Sequence, residues 1–259
     1  MTSDTVPSEF LSFAQALADA SGQVIQRYFR QPIDIITKAD LSPVTIADRN
    51  TEEAMRSLIN KRFPQHGIIG EEHGAEKADA EYVWVLDPID GTKSFISGRP
   101  LFGTLIALCR KGRPVLGVID HPAIHERWIG ALGHPTLFQG KPVKVRPCPD
   151  LAQATLFASS PEMFDEEDQP RYLKLRRACK MSVYGSDCYH YGIIASGFGD
   201  VAIEANMGIY DYLALVPVVE GAGGIVSDWQ GRPLTIESDD KVLACGDARA
   251  HAQVLKLIA

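Results

Sequence analysis

The sequence predicts an α/β protein, built as an α+β lobe over residues 1–145 followed by an α/β lobe over residues 146–259. Three observations lead there. The N-terminal region carries apolar positions at helical spacing, and the stretch that follows is a succession of apolar strands joined by short turns. Beyond a proline-rich segment, strands and helices alternate. Grouped strands flanked by helices, and then strands alternating with helices, belong to these two classes.

Ser8 to Arg30 repeats apolar residues at three- and four-residue intervals (Leu11, Ala14, Leu17, Ala18, Val24, Ile25, Phe29), which predicts an amphipathic helix with Ser8 as its cap. A second helix is predicted from Thr45 to Arg62, ending before Phe63-Pro64. "HGIIGEE" reads as a short buried strand running into a turn that carries Glu71 and Glu72, and "EYVWVLD" as a strand that delivers Asp87 at its carboxyl end. "LFGTLIALCRKGRPVLGVIDHP" is two strands around a Lys-Gly-Arg-Pro turn, and "ERWIGALG" continues the sheet. "KPVKVRPCPD", Lys141 to Asp150, marks the boundary between the lobes. After it, "TLFASS", "KMSVYG" and "DVAIEA" are predicted strands and "CYHYGIIASG" a helix. "DYLALVPVVEGAGG" is predicted as one helix in spite of Pro217, and "IVSDWQG" as a strand or hairpin.

The totals exclude several classes of function. The chain has 259 residues, 45% hydrophobic and 23% charged, with a formal charge of -7 and no Lys/Arg run, which argues against a nucleic-acid groove. Its five cysteines are scattered and form no CxxC pair, so neither a disulfide framework nor a zinc site is expected. The N-terminal stretch "MTSDTVPSEFLSF" lacks the features of a signal peptide, and no apolar run approaches the roughly 20 residues that span a bilayer. A cytoplasmic protein with no membrane partner is the expectation.

One stretch carries chemistry. In "WVLDPIDGTKSF" a tight Pro88-Ile89 step lets Asp87 and Asp90 aim at a common point. Two carboxylates that close either share a proton or bind a hard cation. Gly91-Thr92-Lys93-Ser94 then offers backbone N–H groups suited to phosphate, with glycine allowing close approach. With only oxygen ligands in view, magnesium fits better than zinc. Asp-Pro followed by Asp-Gly is also a common way to build a turn, and this stretch alone leaves both readings open.

Taken with "SPVTIAD" (Ser42 to Asp48), "GEE" (Gly70 to Glu72) and "YDYLALVPVVEGAGG" (Tyr210 to Gly224), the stretch "DPIDGTKSF" resembles, in order and spacing, the inositol monophosphatase-like, magnesium-dependent, lithium-sensitive phosphatases. The resemblance spans nearly the whole chain and implies a layered αβαβα fold with the site between two lobes. It implies metal ligation by Glu71, Asp87, Asp90, Asp211 and the Ile89 carbonyl, around two or three Mg²⁺ ions or Mn²⁺ in their place. It further implies that Asp48 holds the Thr92 hydroxyl to orient the attacking water, that Glu71 shares in catalysis, and that Gly91 and Thr92 cradle phosphate. Asp90 and Asp211 would also face the substrate, and a homodimer is expected by analogy. Glu72 is read either as a neighbour of the metal site or as a solvated charge, Lys93 and Ser94 either as phosphate contacts or, in preference, as helix-capping residues, and the seven histidines as surface or core residues.

Substrate choice must come from the second lobe. There "YGSDCYHYG" places Asp187 where many relatives have a small residue, and Glu204 matches a substrate-contacting glutamate. Two acids beyond the metal set suit a substrate bearing an amine and an imidazole, because charge-assisted hydrogen bonds are the stronger ones. The wording of these motifs resembles the histidinol-phosphate phosphatase branch, so L-histidinol phosphate is the expected substrate. Asp187 could equally cap the helix that follows it. The chain departs from the pattern at "MSVYG", which lacks an arginine that many relatives place two residues before the equivalent glycine. Inositol 1-phosphate is the strongest competitor. A nucleotide 3′-phosphate or a sugar bisphosphate finds no cluster of cations to hold it, and a non-catalytic regulatory role conflicts with the intact acidic set.

Overall fold

The structure, a computed structural model, describes residues 5–32, 35–37 and 43–259. Ser42 of the "SPVTIAD" motif and the first four residues of the N-terminal stretch lie outside the described residues. In the first part of the chain the elements are α1 (Ser8–Ile25), β1 (Ile35–Thr37), β2 (Pro43–Thr45), α2 (Ile46–Arg62), β3 (Gly67–Gly70), β4 (Gly74–Glu76), β5 (Tyr82–Asp90) and α3 (Thr92–Ile96). β6 (Gly103–Arg110), β7 (Arg113–His121), β8 (Glu126–Ala131), β9 (His134–Phe138) and β10 (Lys141–Pro142) follow. The remainder comprises β11 (Thr155–Ala158), α4 (Gln169–Ala178), β12 (Met181–Tyr184), α5 (Tyr189–Ala195), β13 (Val201–Glu204), α6 (Ile209–Tyr212), α7 (Leu215–Gly221), β14 (Ile225–Ser227), β15 (Val242–Cys245) and α8 (Ala248–Ile258).

Two sheets organise the molecule. The larger has the order β10-β9-β8-β7-β6-β5-β3-β4 and is antiparallel except where β3 pairs with β5. The smaller has the order β12-β11-β13-β15-β14, with β11 parallel to both of its neighbours. Side-chain alternation decides what each face meets. Trp84 and Leu86 of β5 pack with Leu17 and Ala18 of α1 and Met55 and Ile59 of α2. Val83 and Val85 face the other way, into a core shared with Tyr191 and Ile194 of α5, Val218 and Val219 of α7, and Ala202 and Ala244 of the smaller sheet. The far face of that sheet, through Leu156, Ile203 and Leu243, is covered by Tyr172 and Leu175 of α4 and by Ala250 and Val254 of α8. The result is the expected layering of helix, sheet, helix, sheet and helix.

Several local expectations change. α1 is capped at Pro7 rather than Ser8, without a side-chain bond, and passes into turns after Ile25 instead of running to Arg30. β5 does not end at Asp87: it continues to Asp90, with a register shift against β6 between these two residues. The predicted helix across Pro217 is two helices, α6 and α7. A proline has no N–H to donate and is tolerated only in a first turn, and the break puts Pro217 at the third position of α7. α4 and α8 carried no prediction. α8 nonetheless shows a readable start, Asp247, whose carboxylate accepts the Arg249 N–H at 2.8 Å.

Candidate active site

The register shift in β5 builds the site. Alternation puts Asp87 on the same face as Val83 and Val85. Its carboxylate accepts the N–H of Ile89, 2.9 Å away, which bends the chain through Pro88. The bend is held from behind, where the Thr104 hydroxyl donates to the Pro88 carbonyl at 2.9 Å and shares a 2.6 Å hydrogen bond with Ser21 on α1. Asp90 thus returns to the same side as Asp87. From the second half, Asp211 enters on α6, its carboxylate fixed by the Gly208 N–H at 2.6 Å. One carboxylate oxygen from each of Asp87, Asp90 and Asp211 lies within 4.8 Å of the others.

Such a cluster resists ionisation. Burial pushes the Asp87 carboxyl well above its usual range, and the neighbouring charges that act on it most are all acidic: Glu71, Asp90, Asp211 and Asp48. Asp211 is raised by burial and then by Asp90 and Glu71. Asp90 is pushed up to about 7, first by burial and then by Asp187, although the Cys188 N–H donates to it at 2.7 Å. Buried like charges this close need a shared proton or a cation between them. A donor set made only of carboxylate oxygens suits a hard divalent cation, so the residues present fit the magnesium that the sequence implied.

The turn after Asp90 is built for close approach. Gly91 has φ 77°, a left-handed conformation open to glycine at little cost. A Cβ there would also lie 2.6 Å from the Asp187 carboxylate. Thr92 begins α3, and its hydroxyl donates to the Ile89 carbonyl at 3.1 Å. Asp48 is 1% exposed and accepts both the N–H (2.8 Å) and the hydroxyl (2.6 Å) of Thr45, closing a capping box at the start of α2. The expected bond between Asp48 and Thr92 is therefore replaced. Each group takes a partner three residues away in its own local turn.

The two further acids differ. Asp187 does not cap α5: the cap residue is Cys188, with no side-chain bond. Its carboxylate instead lies over Gly91 and accepts the Ser94 hydroxyl at 3.1 Å. Burial raises its carboxyl, while Ser94 and the charges of Arg99 and Lys93 act to lower it. Ser94, expected as a capping residue, is thus a partner of Asp187. Glu204 is 2% exposed, and its carboxylate is taken up by the N–H and hydroxyl of Ser159 and by the Tyr191 hydroxyl. Burial pushes it up to about 8 and pushes the nearby His190 down to about 3, so the two face each other uncharged near neutral pH. The structure brings Asp187 to the turn at Gly91 and holds Glu204 between Ser159 and Tyr191.

Sequence reading missed Ser159, Tyr191, Cys188 and Glu52. Their bonds to the site span long separations, such as the 98 positions between Asp90 and Cys188, and no local pattern marks them. Glu52 had one available signal, an acid four residues before Arg56 in the stretch predicted as the second helix.

With this geometry in hand, comparison with known proteins is informative. The model of the inositol monophosphatase family matches residues 6–259. The protein called bifunctional phosphatase IMPL2, chloroplastic, of Arabidopsis thaliana is 51% identical over 263 residues, covering 98% of this chain and 76% of its own length. A histidinol-phosphatase of Chlorobaculum parvum is 36% identical over 236 residues, covering 90% of this chain and 91% of its own. Among solved structures, an inositol monophosphatase from Zymomonas mobilis matches with a TM-score of 0.90 at 45% identity, over 97% of this chain and 98% of the other. Clustered carboxylates beside a left-handed glycine turn, on this fold and with this similarity, place the chain in the inositol monophosphatase family of phosphatases.

Proposed function

We propose that this phosphatase hydrolyses L-histidinol phosphate to L-histidinol and phosphate, with magnesium as its working ion. The observation that carries the substrate reading is the position of Asp187, an acid laid over the phosphate turn and tied to Ser94 instead of capping a helix. A phosphate ester seated at Gly91 and Thr92 would extend past this carboxylate. An amine or imidazole on the ester gains a charge-assisted hydrogen bond there that a neutral polyol does not. The histidinol-phosphatase among the relatives supports the same reading.

Asp87, Asp90, Asp211, Glu71 and the Ile89 carbonyl would hold the cations, which when bound supply Lewis acidity and lower the pKa of water. Turning the Thr92 hydroxyl away from the Ile89 carbonyl frees both groups for these roles: the carbonyl as a ligand, the hydroxyl as the orienter of the attacking water, with Asp48 as its acceptor. The new bond joins phosphorus to the water oxygen as the water gives up a proton, the bond to the ester oxygen breaks, and the released alkoxide takes up a proton in return. Glu204, uncharged near neutral pH, keeps Ser159 and Tyr191 in place behind the substrate.

The test compares kcat/KM for histidinol phosphate and inositol 1-phosphate in wild type and Asp187→Ala. The wild type should prefer histidinol phosphate, and the substitution should reduce that preference by about tenfold or more, the size of a lost charged hydrogen bond. An unchanged ratio contradicts the reading.

A further inference from the structure

Glu52 on α2 is 0% exposed, and every bond it makes is directed at one turn or at the residue that helps hold that turn. Its Oε2 accepts the Glu72 N–H at 2.7 Å, and its Oε1 accepts the His73 N–H at 3.1 Å and Arg56 Nε at 2.7 Å. Arg56 reaches past it and donates to the Gly74 carbonyl. The carboxylate enters this space only because residue 70 is glycine: a Cβ there would fall 2.0 Å from Glu52 Oε1. On its other side the turn is tied to β5 by the Glu71 N–H, which donates to the Leu86 carbonyl at 3.2 Å. Glu71 is thus held between the last bond of the β3–β5 pairing and the first amide gripped by Glu52.

A buried ion pair is a weak way to stabilise a fold, since apolar residues of equal volume often serve as well. What a carboxylate adds is direction, here fixed for two successive amides. We infer that Glu52 and Arg56 are positioning residues for Glu71, setting the angle at which its carboxylate meets the acidic cluster and hence the affinity of the cluster for divalent cations. This rests on the reading of Glu71 as a metal ligand. Residues that orient ligands from behind typically change metal affinity by 10–100-fold when replaced.

The experiment titrates Mn²⁺ into the full chain by calorimetry, with free Mn²⁺ followed by electron paramagnetic resonance, for wild type, Glu52→Gln and Arg56→Gln, with melting curves alongside. Glu52→Gln should bind Mn²⁺ at least tenfold more weakly. Arg56→Gln is the sharper variant. Loss of a cation near an acidic site should by itself tighten Mn²⁺ binding, whereas a loosened turn weakens it, and we expect about threefold weaker binding or more. Binding by Arg56→Gln as tight as wild type, or a lower Tm with unchanged affinity in either variant, overturns the inference. Should neither variant fold, amide exchange on the wild type decides: slow exchange at Glu72 and His73 supports the clamp and fast exchange overturns it. A wild type that binds no Mn²⁺ overturns the reading of the acidic cluster itself, and is recognised before any variant is compared.

Discussion

Asp200 and Asp87 are both aspartates with 1% exposure, and the fold treats them in opposite ways. Asp200 is met by Arg146 through Nε at 2.7 Å and Nη2 at 2.5 Å, and by the Thr155 N–H at 2.8 Å. Asp120 has Arg127 and Asp168 has Lys241, each at 2.6 Å. Asp87 has one backbone N–H and a ring of other acids. An acid whose charge is balanced from within holds the chain together. An acid left among like charges leaves that balance to something outside the chain, and the carboxylate oxygens of Asp87, Asp90 and Asp211 are a donor set that suits a hard divalent cation.

The largest effect should come from the unbalanced set. Asp90→Asn should lower kcat/KM by on the order of 10³-fold or more at saturating magnesium, as removal of a charge-stabilising group does, with its circular dichroism unchanged. The same variant should be the more stable one without metal above neutral pH. Asp90 is raised to about 7 in the folded chain, so the stability linked to its proton is present below about pH 4 and lost as pH rises through 7. Melting curves at pH 5 and pH 8 with a chelator present check the sign.

The balanced set should respond the other way. Asp200→Asn weakens the bonds to the half-exposed Arg146 guanidinium and to the Thr155 N–H and should cost about 1–2 kcal/mol in chemical denaturation, while the melting shift produced by magnesium stays as in wild type. Glu204 falls between the two classes, buried and satisfied but raised to about 8. Its contribution is complete below about pH 4.5 and disappears as pH rises through 8. Glu204→Gln should therefore melt close to wild type at pH 4, pull ahead of it as pH rises, and exceed it by on the order of 4 kcal/mol at pH 9. The smallest effect is the surface control. Glu9 and Arg62 pair in solvent, and Glu9→Gln should change stability by less than about 0.5 kcal/mol.

The contrast also marks what a sequence shows. Asp87, Asp90 and Gly91 were readable because their geometry is local: a Pro-Ile step, a side chain that accepts an N–H two residues on, and a glycine in the left-handed region. Elements were readable where an apolar run was long and bounded by turn residues, as in β6 and β7. The break before Pro217 was missed because the apolar pattern of "YDYLALVPVV" continues through it and backbone hydrogen bonding alone interrupts it. The placement of Asp187 over Gly91 depends on how distant parts of the chain meet, and that of Ser159 on Glu204 on the pairing of β11 with β13, and neither leaves a trace in spacing. The Asp48–Thr92 bond is not made in this structure for a local reason, since Thr45 offers Asp48 two donors within one turn of α2.

The account depends on the acids at the end of β5 and the start of α6 being a cation site. Crystals equilibrated with MnCl₂ and phosphate, measured on both sides of the manganese absorption edge, test this most directly. The prediction is at least one anomalous peak within ligand distance of Asp87, Asp90 and Asp211, absent in Asp90→Asn or much reduced. A clean map at those side chains in well-ordered wild-type crystals would contradict it.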